Sequence, residues 1–185
     1  MTLYIIVWSV WCLSEVFMTR LLHSGKREKQ KRDRGSLLLI WFAIAVAICG
    51  GVLCSIKFPV LISHSPWIPL AGLLLIVAGM AFRFTAIRAL GRMFTVDVTI
   101  REDHKIKKDG LYRIIRHPAY LGSLISFLGF GISMNNWISL AVANVAIWAA
   151  MIYRIKVEEK ALMEHFGESY TEYMGLTWRL IPWIY

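Results

Sequence analysis

Metal motifs and a disulfide framework are missing from this sequence, and no leader peptide is expected. The cysteines Cys12, Cys49 and Cys54 are odd in number, fall in apolar segments and form no CxxC, which argues against a disulfide framework and a zinc site. HExxH is absent, and His23, His64 and His165 have no ligand partners at useful spacing, so no metal is expected. The first apolar segment has no basic stretch before it and no small-residue cleavage pattern after it, so it reads as a retained membrane span and not as a signal peptide. Basic residues are not interleaved with aromatics, so no nucleic-acid partner is expected. No internal repeat or low-complexity segment is present. Lysine and arginine are absent from residues 58–66 and from the Asn135-Asn136 dipeptide.

What the chain does have is apolar surface. With 57% hydrophobic residues and eight tryptophans in 185 residues, it carries more than a soluble globule of this size can bury, and membrane residence follows. Five apolar segments can be drawn, at about 3–22, 37–57, 67–90, 119–134 and 137–153. Helix is the only state that pairs their amides in lipid. The expected fold is an all-α integral membrane protein with about five transmembrane helices. Its last two form a tight helical hairpin around Asn135 and Asn136, followed by a C-terminal helix to about Tyr173. Residues 1–90 would hold three spans with a basic loop at 23–36, and residues 91–185 a loop, the hairpin and the tail. In the loop, β-branched residues at 95–100 suggest short extended structure.

Six Lys or Arg lie in 23–36 and seven between Gly91 and Pro118. The positive-inside rule then puts both basic loops and the C-terminus in the cytoplasm and the N-terminus outside.

Two segments gather polar groups where the chain enters the apolar phase. In RHPAYLG (116–122), Pro118 suits the first turn of a helix, His117 and Tyr120 would line its opening, and Gly122 permits a close approach. Contact of Arg116 and His117 with lipid phosphates, with Tyr120 in an aromatic belt, explains the same residues by composition. In RIKVEEKALMEHFGESYTEY (154–173), Arg154 and Glu158 share a helix face, and Glu159 points about 100° away. A short hairpin turn would set Tyr120 and Tyr153 at one depth and make the two segments neighbours. Arg83 and Arg88 stand on one half of the third span, where they would snorkel to phosphate or line a cavity.

GLYRIIRHPAYLG, the EE pair, FGESYTEY and the late Arg179 and Pro182 closely resemble the integral-membrane isoprenylcysteine carboxyl methyltransferase and phospholipid methyltransferase superfamily over about 91–182. The resemblance implies S-adenosylmethionine as methyl donor, S-adenosylhomocysteine as product and a lipidic or small hydrophobic acceptor amid membrane lipids. It also implies a cofactor site with His117, Tyr120, Gly122 and Glu159, joined by Tyr112 and His104, and a reaction centre with Arg154 and Glu158. GSLISFLGFGI, with its GxG at Gly129, resembles the phospholipid branch, or is a small-residue packing face. A nicotinamide-dependent sterol reductase also uses an RHPxY-like segment, but with Asn expected in place of Ala119. A non-catalytic scaffold would leave Arg154, Glu158 and Glu159 unexplained.

Overall fold

The protein's structure, a computed structural model, describes residues 2–21, 34–94 and 105–185. Six helices follow one another there. They are α1 (Thr2–Leu21), α2 (Arg34–Ala45, passing through a π turn at Val46–Gly50 into Gly51–Lys57), α3 (Trp67–Leu90), α4 (Pro118–Ser133), α5 (Trp137–Phe166) and α6 (Glu168–Leu176). His23, His104, most of the basic loop at 23–36 and the β-branched run at 95–100 lie outside the described residues.

The expectation of about five transmembrane helices is overturned. Among the described residues only three helices, Gly35–Lys57, Trp67–Leu90 and Trp137–Phe166, are long and apolar enough to cross a bilayer. The stretch Thr2–Met18 of α1, and α4, are apolar but shorter. The 16 residues of α4 span about 24 Å at about 1.5 Å per residue, against the roughly 30 Å of a hydrocarbon core. For α4, counting the apolar run as a span disregards its helical length. The chain is a multi-pass membrane protein, and large side chains such as Leu38, Phe42, Ile56 and Val145 stay exposed toward the lipid side.

Glycines bring α3 and α4 into backbone contact. A Cβ at Gly72 would meet the Ser133 backbone at 2.3 Å, one at Gly79 the Gly122 carbonyl at 2.6 Å, and one at Gly129 the Gly72 carbonyl at 2.6 Å. A Cβ at Gly131 would meet Leu140 of α5 at 2.8 Å. Both glycines of the GxG are therefore packing positions, as membrane helices without a hydrophobic driving force require. Trp8 and Trp11 seat α1 on the same core: the Trp11 ring lies 4.7 Å from that of Phe127, and Trp8 Nε1 donates to Ser133 Oγ at 3.1 Å.

The turn between α4 and α5 is built by its two asparagines. Asn135 takes φ 50°, which asparagine tolerates better than most residues, and its amide donates to the Ser63 carbonyl at 2.7 Å. Asn136 caps α5 by accepting from Ser139 N at 3.0 Å and donates to the Phe58 carbonyl at 2.6 Å. At the other end α5 does not stop near Tyr153 but continues to Phe166, where Gly167 at φ 56° breaks it before α6. Arg154, Glu158 and Glu159 thus ride on the same rigid helix as the span.

Candidate functional site

The tail after α6 turns back over the entrance to α4. Arg116 N donates to the Trp178 carbonyl at 2.8 Å, Trp178 N to the Ile114 carbonyl at 2.9 Å, and His117 N to the Arg179 carbonyl at 3.2 Å. This strap sets Arg116, His117 and Arg179 around Glu159. Arg116 Nε donates to Glu159 Oε1 at 3.0 Å, His117 Nε2 lies 3.3 Å from the same oxygen, and Arg179 Nε donates to Oε2 at 2.9 Å. Donating this hydrogen bond to the Glu159 carboxylate pushes the Arg179 guanidinium above its ordinary range. Arg116 Nη1 also donates to the Met174 carbonyl at 2.9 Å and to the Thr177 carbonyl. Three positively charged or protonatable groups from two distant segments therefore converge on one buried carboxylate.

One residue earlier, Glu158 looks the other way. Its Oε2 lies 3.8 Å from His117 Nδ1 and is a buried acceptor with no hydrogen-bond partner among the described residues. Buried carboxylate oxygens are normally satisfied, so an unsatisfied one marks where a donor belongs. Arg154, 1% exposed, turns toward α2 and α4: its Nε reaches the Tyr120 hydroxyl at 3.4 Å and its Nη1 donates to Ser36 Oγ. His117 stacks at a tilt on Tyr120 with ring centres 5.7 Å apart.

The structure thus brings His117, Tyr120, Arg154, Glu158 and Glu159 together. Tyr112 and Gly122 make contacts outside this group as well. Tyr112 donates its hydroxyl to the Ala86 carbonyl at 3.2 Å, and burial pushes its phenol above the ordinary value. Its own carbonyl accepts from Tyr173, whose phenol burial pushes up to about 12. Gly122 faces α3, where a Cβ would stand 2.7 Å from the Arg83 backbone, so its smallness serves helix contact. His104 lies outside the described residues. Missed from sequence were Ser36, which meets Arg154, the Glu159 contacts of Arg116 and Arg179, and Glu15, whose Oε2 lies 3.3 Å from Arg83 Nη2. A lone acid in an apolar segment was the available signal for Glu15.

Two spaces adjoin this cluster. A cavity of about 60 Å³ among the helices is walled by Tyr120, Ser123, Arg154, Arg83 and Glu15. A groove of about 580 Å³ between α1 and α3 is apolar except at Ser14, Glu15 and Arg83.

Residues 71–164 match the isoprenylcysteine carboxyl methyltransferase family. The chain is 42% identical over 118 residues to protein-S-isoprenylcysteine O-methyltransferase B of Arabidopsis thaliana, covering 63% of this chain and 59% of that protein. It is 35% identical over 115 residues to the Saccharomyces cerevisiae protein-S-isoprenylcysteine O-methyltransferase, covering 61% of this chain and 48% of the relative. The solved structure of the eukaryotic intramembrane Ras methyltransferase, isoprenylcysteine carboxyl methyltransferase, superposes with a TM-score of 0.66 at 28% identity, over 77% of this chain and 52% of that one. The chain spans less than two thirds of the length of these relatives. The matched residues make up more than half of the 185 and carry α4, the asparagine turn and the Arg154–Glu159 stretch of α5, and on them the chain belongs to the isoprenylcysteine carboxyl methyltransferase family.

Proposed function

We propose that this protein moves a methyl group from S-adenosylmethionine to the carboxylate of an isoprenylcysteine-type lipid acceptor. The observation that carries the reading is the buried Arg154 guanidinium on the wall of a cavity next to an apolar groove. A buried arginine suits an anionic head group and repels an amine, which favours a carboxylate acceptor over an aminophospholipid.

The donor-side residues fit a cationic, hydroxyl-bearing cofactor, because Glu158 Oε2 is a buried acceptor without a hydrogen-bond partner among the described residues and His117 Nδ1 stands beside it. His117 and Glu158 would hold the donor, which when bound supplies an electrophilic methyl on a sulfonium. Arg154 would hold the acceptor carboxylate, with Tyr120 and Ser36 fixing the guanidinium. The carboxylate oxygen forms its bond to the methyl carbon as the carbon–sulfur bond breaks, leaving a neutral thioether and a methyl ester. No proton moves, so no general base is required and the protein's contribution is alignment and exclusion of water. Glu159 acts as a positioning residue that ties His117 to the tail.

Purified protein given labelled donor is expected to methylate an S-prenylated N-acylcysteine to a base-labile ester. Labelling of an aminophospholipid instead, as a base-stable product, would overturn the carboxylate reading.

The site end of the bundle is assigned to the cytoplasm. The tail is strapped to the 105–116 stretch, and this belongs to the basic segment with seven Lys or Arg between Gly91 and Pro118. A reporter fused after Tyr185 is expected to be active inside the cell, and activity confined to the outside would reverse the assignment.

A further inference from the structure

The groove and the cavity meet at one ion pair. Glu15 and Arg83 line both spaces, and their side chains are only 16% and 13% exposed. A desolvated pair in apolar segments adds little net stability, and an ionisable residue at membrane depth is by default a functional group. Ser14, the remaining polar side chain of the groove, donates its hydroxyl to the Trp11 carbonyl at 2.7 Å.

The two edges of the Arg83 guanidinium differ. Nη1 donates to the Ala119 carbonyl at 3.1 Å and to Ser123 Oγ, fixing the group to α4. Nη2 lies 3.3 Å from Glu15 Oε2, while Nε is buried and has no hydrogen-bond partner among the described residues. Nε and Nη2 form the edge that takes a carboxylate in two parallel hydrogen bonds, and the contact with Glu15 leaves half of that edge unused. An incoming carboxylate that engaged both nitrogens would gain what Glu15 does not supply.

We propose that Glu15 and Arg83 form an exchangeable gate: the carboxylate of a single-chain lipid lying in the α1/α3 groove replaces Glu15 on the Nε/Nη2 edge of Arg83 and is thereby admitted to the Arg154 cavity. The inference rests on the carboxylate-acceptor reading above. The groove volume of about 580 Å³ is in the range of ligand pockets, roughly 300–1,000 Å³, and its charge at one end with apolar walls elsewhere matches a chain with an anionic head. Arg83 is then the specificity residue, since a neutral head cannot take both nitrogens of its fork, and Glu15 sets the competition that an entering carboxylate must win.

The test measures equilibrium binding of oleate and of oleamide to the full chain in detergent, at a pH where the acid is ionised. The parent protein is expected to prefer oleate. Glu15→Gln is expected to tighten oleate binding about tenfold and leave oleamide unchanged, because the competing carboxylate is gone. Arg83→Lys keeps the charge but not the fork and is expected to lower the oleate-to-oleamide ratio. Monodispersity and an unchanged melting profile of Glu15→Gln establish that it is folded. Equal ratios in all three proteins overturn the gate. If the ratios shift as expected while the parent fails to methylate a prenylated cysteine, the acceptor reading falls and the gate stands. Methylation with unshifted ratios removes the gate and leaves the acceptor reading standing.

Discussion

Glu159→Ala is expected to lower the apparent melting temperature of the purified protein by about 10 °C. Removing one partner of a buried ion pair costs about 3–5 kcal/mol, and in a domain of this size each kcal/mol moves the midpoint by about 2–4 °C. The Glu159 side chain is 3% exposed and receives Arg116 and Arg179, so its loss leaves two guanidinium groups facing each other across an emptied space. The damage also spreads to the strap, because Arg116 holds the carbonyls of Met174 and Thr177. Glu159→Gln keeps the volume and one acceptor oxygen, so it separates lost charge from lost packing, and a fall about half as large is expected. Affinity for S-adenosylhomocysteine should drop in parallel with stability in both variants, since His117 loses its anchor. A variant with an undiminished melting temperature and weakened cofactor affinity would show that Glu159 contacts the cofactor directly, and the positioning role would be withdrawn.

How far the sequence carries can be judged from single residues. Asn135 and Asn136 stand out between two apolar runs, and Pro118 marks a helix start, so the neighbourhood of RHPAYLG and Arg154 followed from local signals. The number of spans did not follow, because hydropathy counts apolar residues whereas crossing depends on helical length, and α4 is 16 residues long. At Gly122 the sequence offers close approach to a backbone or to a ligand alike, and the helix packed against it presents the Arg83 backbone. Arg179 and Arg116 meet at Glu159 through a strap between segments about 60 residues apart, for which no spacing rule exists. Glu158 and Glu159 look alike in sequence. Only the fold shows one carboxylate saturated by its neighbours and the other with an oxygen unpartnered.

That difference decides the last expected result. Arg154 turns toward Tyr120 and Ser36, while Glu158 turns toward His117, so the two should serve different ligands although they lie one helical turn apart. Arg154→Lys is expected to lower kcat by about a hundredfold, because a lysine retains the charge but cannot hold a carboxylate in two fixed hydrogen bonds. Its S-adenosylhomocysteine affinity should stay within about twofold of the parent, since an interaction made with the acceptor does not enter cofactor binding. Glu158→Gln should weaken S-adenosylhomocysteine roughly tenfold, as the loss of a charged acceptor implies, and leave the KM for the lipid unchanged. The double variant is expected to combine both defects less than additively, because the two side chains are neighbours that share Tyr120 as a partner. Calorimetry with S-adenosylhomocysteine and turnover of a prenylated cysteine measure the two arms. Cofactor affinity lost in Arg154→Lys and retained in Glu158→Gln would exchange the two roles. Turnover at the parent rate in both variants would move the reaction away from this face of α5.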